Sequence, residues 1–226
     1  PKQWAGFSPN YSQEKELLSA SDEIESIYKL TGGEKFMGEE ATKKNYLENN
    51  QNFSVLHLAM HGEINQNNSS YNKLLFKDGE LTSSEIYTSY SKANLIILSA
   101  CSTGLGKLEK GEGVMSMARA FHFSGIPSVV MSLWKVPDVE TKIIMVSFYK
   151  YLKKGKSKSE ALRLAKLDYL KNISDKELLH PYYWSGFVIS GNTDPLLVEK
   201  DSNYFLWIMI LLGGLVIGRF ILKRLC

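Results

Sequence analysis

Three predominantly apolar runs, each about as long as a β-strand, dominate the hydrophobic pattern of the chain. They cover Phe53–Met60, Asn94–Ala100 and Pro127–Leu133. Because these runs are apolar at successive positions, they are typical of strands that are buried on both faces of a parallel sheet. Two shorter runs predict further strands near Gln3–Phe7 and at Trp184–Ile189.

Helical patterns separate these predicted strands. Apolar positions recur at helical spacing over Leu17–Tyr28 and again over Ile144–Leu152. Thr82 and Ser157 are each followed three residues later by Glu, which is the pattern of a capping box at the start of a helix. Strands that alternate with helices predict an α/β fold, with a mostly parallel central sheet covered on both faces. In such sheets ligands bind beyond the carboxyl ends of the strands, so we expect a functional site there.

One segment near the end of the chain is far more apolar than the rest. Tyr204–Leu222 contains a single charged residue, Arg219. A helix of about 20 apolar residues crosses the hydrocarbon core of a bilayer. Trp207 is an aromatic residue of the kind found at membrane interfaces, and basic residues follow the segment directly. The pattern favours a transmembrane helix over 204–223, with a buried core helix as the alternative.

The predicted domain organisation follows from these patterns. A globular domain covers residues 1–191, a polar linker covers 192–203, and a single membrane-spanning helix covers 204–223. By the positive-inside bias, the basic residues after the span favour a cytoplasmic tail and a domain on the non-cytoplasmic side. Because the chain begins with Pro1 rather than Met, we expect it to be part of a longer protein.

Composition excludes several classes of protein. Apolar residues make up 44% of the chain, which is too high for a disordered protein. The two cysteines, Cys101 and Cys226, are too few for a disulfide framework. The 27 basic and 24 acidic residues give a net charge of +3, and the lysines are spread along the chain. We therefore predict no nucleic-acid partner.

Two of the predicted strands are followed by residues that could carry chemistry. His61 and Gly62 come after Phe53–Met60, and Cys101 comes after Asn94–Ala100. If the two strands are neighbours in one sheet, His61 and Cys101 project from the same edge. A cysteine thiolate is a nucleophile, and a nearby histidine can take its proton. A cysteine after a core strand is also compatible with simple packing, so spacing alone leaves both interpretations open.

The spacing of His57 and His61 does not predict a metal site. His57 lies in the middle of a predicted strand, four residues before His61, and is predicted to be a core residue. No cluster of further ligands accompanies either histidine, so we predict no bound metal.

Four blocks of the sequence lie around these positions: LHLAMHG, LIILSACSTGLG, GEGVMSMARAFHFSGIPSVVMSLWKVPD and HPYYWSGFVISG. In order and spacing they resemble the CHAT domain, a family of caspase-like peptidases associated with tetratricopeptide repeats and related to caspases and separases. The resemblance implies a caspase-like three-layer sandwich. It also implies that His61 is the catalytic histidine, that Cys101 is the nucleophile, and that the N–H groups of Gly62 and Cys101 form the oxyanion hole. The reaction would be peptide-bond hydrolysis through a thioester, without a metal or organic cofactor.

The chain departs from the family pattern in three respects. Met60 occupies a position where the family usually has Thr. The family's domain begins further upstream, so we expect an N-terminal strand and helix, and any tetratricopeptide repeats, to precede this chain. A C-terminal membrane span is not a general feature of the family.

Three acidic residues are candidates for substrate binding. Glu112 lies in the glycine-rich segment Gly104–Gly113, where it could face a substrate or favour the N-terminus of the following helix. Asp138 and Glu140 follow the third block. One interpretation makes Asp138 a helix N-cap with Glu140 in the first turn. The other, suggested by similarity to separases, is that an acidic residue here selects a basic residue before the scissile bond.

The sequence thus predicts a membrane-tethered cysteine endopeptidase that acts on protein or peptide substrates and is regulated by an upstream repeat region. The alternative is a non-catalytic interaction scaffold with the same fold at the membrane. A further possibility is a peptidase whose target is its own upstream part.

Overall fold

A six-stranded sheet forms the centre of the structure, a computed structural model that describes residues 2–11, 17, 19–65, 68–99 and 116–196. Its strands, numbered in chain order, lie side by side as β2 (Glu34–Met37), β1 (Lys2–Ser8), β3 (Phe53–Leu58), β7 (Leu95–Leu98), β8 (Ser128–Ser132) and β9 (Phe187–Gly191). All neighbouring pairs are parallel except β8 and β9, which are antiparallel. The predicted α/β fold with a mostly parallel sheet is therefore confirmed.

Helices cover both faces of this sheet. The helices are α1 (Ala20–Thr31), α2 (Lys43–Asn49), α3 (Ser83–Thr88), α4 (Ser116–Phe123), α5 (Asp138–Lys153) and α6 (Lys158–Asn172). One apolar cluster joins the sheet to α1, α5 and α6, and a second joins its other face to α2, α3 and α4. The central strands are buried between the two clusters, which explains why β3, β7 and β8 are apolar at successive positions.

A second, smaller sheet begins immediately after β3. It consists of β4 (Gly62–Glu63), β5 (Lys73–Phe76) and β6 (Gly79–Thr82), paired antiparallel in that order. Neither this sheet nor β2 was predicted from the sequence. Strands of two to four residues are too short to display a hydrophobic period. Between β4 and β5, Ser69–Tyr71 forms a 3-10 turn.

The two predicted helix starts are observed, and one of them is a complete capping box. The Thr82 hydroxyl accepts a hydrogen bond from the Glu85 N–H, and the Glu85 carboxylate accepts one from the Thr82 N–H. Ser157 caps α6 by accepting from the N–H of Glu160. The Asp138 prediction is wrong by one position, because Pro137 is the N-cap residue of α5 and Asp138 lies in its first turn.

The compact unit that contains the sheet extends to Leu196. The first residues of the predicted linker, 192–196, pack on the start of α6: the Lys158 backbone N–H donates to Thr193 O at 2.9 Å, and Lys158 Nζ donates to Asp194 O at 2.7 Å. Within the described ranges, no helix is long and apolar enough to cross a membrane. The predicted span at 204–223 lies outside those ranges and stays a prediction.

Candidate active site

His61 lies where the sequence predicted it, just beyond the carboxyl end of β3. Ala59 and Met60 continue from the strand as buried residues, and the Ala59 N–H donates to Phe7 O of β1 at 2.9 Å. His61 then emerges half-buried at the edge of the sheet. This edge is formed by the carboxyl ends of the parallel strands, where α/β sheets bind their ligands.

Strands β3 and β7 are neighbours in the sheet, which is the condition under which the sequence placed His61 and Cys101 at one edge. Val55 pairs with Leu95 and Leu58 with Leu98, so each residue of β3 lies opposite the residue 40 positions later. The segment after β7 that contains Cys101 and Glu112, residues 100–115, lies outside the described part of the chain. The contact between His61 and Cys101 therefore stays a prediction.

The backbone N–H of Gly62 is directed away from the small sheet. Gly62 is opposite Leu74 in the pairing of β4 with β5. The Leu75 N–H donates to the carbonyl of His61 at 2.9 Å, which makes Gly62–Leu74 a pair that does not exchange hydrogen bonds. In such a pair the N–H groups point outward from the ladder. An oxyanion-hole donor requires this direction, because it must face a substrate rather than a neighbouring strand.

Tyr11 makes three contacts at this point, and none of them was anticipated from the sequence. The backbone N–H of His61 donates to the Tyr11 hydroxyl at 3.0 Å. The same hydroxyl donates to the carbonyl of Leu75 at 2.7 Å. The rings of Tyr11 and His61 pack with their centroids 4.6 Å apart and tilted by 51°. Tyr11 thus contacts both the backbone and the side chain of His61.

The turn that contains Tyr11 is itself held by the small sheet. The Oδ1 atom of Asn10 accepts a hydrogen bond from Lys77 Nζ at 3.0 Å. Lys77 Nζ also lies 2.7 Å from a Glu39 carboxylate oxygen, and the Lys77 N–H donates to Ala41 O. The Lys77 ammonium keeps the pKa of Glu39 below its ordinary value through this hydrogen bond.

The two described acidic candidates begin α5, beyond the carboxyl end of β8. They lie at the same edge of the sheet as His61, because β8 is parallel to β7 and β3. Asp138 is half-buried, whereas Glu140 is only 6% exposed. Burial, and then the nearby Glu140 carboxylate, raise the pKa of Tyr169 to about 12. The near-complete burial of Glu140 favours a structural role over contact with substrate.

His57 is a core residue, as predicted, with no exposed surface. Its Nε2 atom lies 2.7 Å from a Glu23 carboxylate oxygen, and its Nδ1 atom lies 3.1 Å from the Tyr149 hydroxyl. Across the described ranges, no three side chains of the His, Cys, Asp and Glu types come together as metal ligands do.

Comparison with known proteins assigns the family. Residues 7–192 match the family model of the CHAT domain. The chain belongs to the CHAT domain family. It is 31% identical over 113 residues to human tetratricopeptide repeat protein 28, and 29% identical to the mouse protein of that name. Each match covers 50% of this chain and 4% of the relative's length.

Solved structures share the fold of this CHAT domain. The Saccharomyces cerevisiae separase–securin complex matches with a TM-score of 0.56 and 16% identity, covering 85% of this chain and 12% of that chain. The complex of Porphyromonas gingivalis RgpB pro- and mature domains matches with a TM-score of 0.53 and 8% identity, covering 86% and 48% respectively. These neighbours share the mixed α/β fold with a mostly parallel central sheet that the sequence predicts.

Tyr11 is the residue of this CHAT domain site that sequence reasoning missed. It lies three residues after β1, and β1 is the neighbour of β3 on the side opposite β7. The position of Tyr11 in the segment Pro9–Tyr11 indicates a contact with His61 only once the order of the strands is known. A tyrosine 50 residues before His61 has no local signal that connects the two.

Proposed function

We propose that the chain is a cysteine endopeptidase in which His61 and Cys101 form the catalytic dyad. The observation that carries this proposal is the register of β3 and β7. Opposed residues of these strands differ by 40 positions, and the same offset separates His61 from Cys101 in the sequence. Continued pairing at that register would bring the histidine and the cysteine to the same level of the sheet edge. The outward direction of the Gly62 N–H adds support, since acyl transfer needs such a donor.

The proposed reaction begins when the thiol proton of Cys101 passes to His61. The thiolate attacks the carbonyl carbon of the scissile peptide bond, while the N–H groups of Gly62 and Cys101 stabilise the oxyanion. Protonated His61 gives its proton to the leaving amine as the C–N bond breaks, which leaves a thioester on Cys101. His61 then takes a proton from water, whose oxygen attacks the thioester carbon. The C–S bond breaks, the acid product leaves, and His61 returns its proton to the sulfur of Cys101.

Substrate selection is proposed to involve Asp138. Its carboxylate is half-buried at the same edge of the sheet as His61, where it could pair with a basic side chain of the substrate. Glu112 is a second proposed contact, from the segment after Cys101. The position of Glu140 beside Tyr169 makes it the weakest of the three acidic candidates.

The proposal extends to membrane attachment through residues 204–223 and to control by an upstream repeat region. The apolar composition of Tyr204–Leu222 supports membrane attachment. The match to tetratricopeptide repeat protein 28 supports control by upstream repeats, because the name of that relative records such repeats.

The pH dependence of Cys101 alkylation tests the dyad. In a Cys226→Ala background, we expect iodoacetamide to modify Cys101 with a midpoint clearly below about 8.5, the ordinary thiol pKa, because a nearby histidine stabilises the thiolate. His61→Ala should move the midpoint toward the ordinary value, whereas His180→Ala, a change at an exposed histidine, should not. Sluggish labelling with an ordinary midpoint in all three variants would favour the scaffold interpretation. Mass spectrometry of the labelled peptide provides the measurement.

Flotation with phosphatidylcholine vesicles tests the membrane helix. The full chain should float with the vesicles, and the double substitution Leu211→Arg and Leu212→Arg should abolish flotation. Each arginine at the centre of a span costs roughly 2.5–3.5 kcal/mol for insertion. Placing the two arginines in the predicted linker instead, at Ser202 and Asn203, provides the matched control and should leave flotation intact. Equal loss in both double variants would contradict the assignment of the span.

A further inference from the structure

We propose that Tyr11 is a positioning residue that fixes the backbone of His61, and through it the ring of His61 and the N–H of Gly62. Its hydroxyl group lies between His61, the residue just before β4, and Leu75 of β5. The inference rests on the proposed function for its catalytic consequence, but the geometry that supports it does not involve Cys101.

The hydroxyl of Tyr11 replaces one bond of a β-ladder. Residues that form a hydrogen-bonded antiparallel pair exchange two N–H···O bonds. For His61 and Leu75 the first of these is direct, from the Leu75 N–H to His61 O at 2.9 Å. The second runs through Tyr11: the His61 N–H donates to the hydroxyl at 3.0 Å, and the hydroxyl donates to Leu75 O at 2.7 Å.

This relay has a structural consequence that a direct ladder bond would not have. An inserted oxygen atom holds the His61 N–H farther from β5 than a direct bond allows, so the chain diverges from the small sheet at the histidine. A bridging water could make the same two hydrogen bonds, but immobilising it at this position would cost entropy. The phenol is already ordered, because Tyr11 follows β1 and its neighbour Asn10 is hydrogen-bonded to Lys77.

The ring of Tyr11 also packs against the side chain of His61. Its centroid lies 4.6 Å from that of the imidazole, so the ring limits the orientations that His61 can adopt. A proton-transfer group must hold its geometry through several steps, and a displacement of about 1 Å can cost up to about 100-fold in rate. We therefore expect Tyr11 to affect the chemical step more than substrate binding.

The substitution Tyr11→Phe in the full chain tests the proposal, because it removes the hydroxyl and keeps the ring. Hydrogen exchange at the His61 amide, measured by NMR on labelled protein, should accelerate by roughly tenfold or more, since the N–H loses its acceptor. For peptide cleavage, kcat should fall by roughly 10- to 100-fold while KM stays within about twofold. The control Tyr169→Phe also loses one hydroxyl-to-carbonyl bond, to Leu178 O at 3.1 Å, and should leave both readouts unchanged.

The two readouts distinguish the failure of this proposal from the failure of the proposed function. Unchanged exchange at the His61 amide in Tyr11→Phe would overturn the positioning role, whatever the activity. Unchanged kcat in a variant whose amide exchanges faster would also overturn it, while the peptidase assignment would stand. If the wild-type chain cleaves no peptide, the proposed function fails, and amide exchange alone then decides whether Tyr11 fixes the His61 backbone.

Discussion

Cys101→Ala should reduce peptide cleavage by at least about 1,000-fold, because it removes the nucleophile on which both halves of the proposed reaction depend. His61→Ala should cause a loss of similar size, since a thiol without its base is mostly protonated at neutral pH. The double variant should lose little more activity than either single variant, because the two residues act as one catalytic unit. The measurement is cleavage of a diverse peptide library by the full chain, with mass spectrometry of the products.

Two matched variants separate a catalytic effect from a general one. Cys226→Ala removes the other cysteine of the chain, and His180→Ala removes an exposed histidine whose ring accepts a hydrogen bond from the Tyr182 N–H. Both should retain cleavage. Cut sites after Lys or Arg that disappear in Asp138→Asn would support the proposed selection of basic residues. Undiminished cleavage by Cys101→Ala would exclude the dyad mechanism.

Glu23→Ala should markedly reduce the free energy of unfolding. Glu23 of α1 is 2% exposed, and its partner His57 of β3 is fully buried. Their nearest atoms are 2.7 Å apart, although within the described residues neither atom makes a hydrogen bond of normal geometry. The pair is thus a close polar contact rather than a linear hydrogen bond. Removing Glu23 takes away the carboxylate that compensates the buried ring of His57, and an uncompensated buried polar group typically costs about 1–3 kcal/mol.

The surroundings of His57 explain why the effect should be large. Trp4 Nε1–H donates to the Tyr149 hydroxyl at 2.9 Å, and that hydroxyl lies 3.1 Å from His57 Nδ1. Burial raises the pKa of Tyr149 well above its ordinary value, so the phenol stays protonated and can donate to His57. The other ring nitrogen of His57 then carries its proton toward Glu23. These side chains join α1, α5 and two central strands, so loss of the carboxylate affects one connected network.

Glu25→Ala provides the matched control on the same helix. Glu25 also contacts a cation, Lys35, whose hydrogen bond lowers the pKa of the Glu25 carboxyl, but this pair is at the surface. Exposed ion pairs contribute little, so its removal should barely change the free energy of unfolding. Guanidinium denaturation of the full chain measures both variants. If Glu23→Leu combined with His57→Leu is much less destabilising than the two single changes together, the cost belongs to the partner that each single change leaves uncompensated. Equal effects of Glu23→Ala and Glu25→Ala would contradict the prediction.

The sequence by itself determined the elements whose signal is local. Strands β3, β7 and β8 are evident because burial on both faces requires apolar residues at successive positions. The capping box at Thr82 is evident because its two bonds join residues three positions apart. His61 could be assigned to the edge of the sheet for the same reason, since it directly follows a strand.

Only the tertiary structure decided which distant residues meet. Tyr11 reaches His61 because β1 lies beside β3, and Glu23 reaches His57 because α1 packs on that face of the sheet. The small sheet also depends on pairing, because its strands are too short to show a period. Each of these arrangements is fixed by strand order and register, which arise from the packing of the whole domain and leave no periodic trace in any short stretch of sequence.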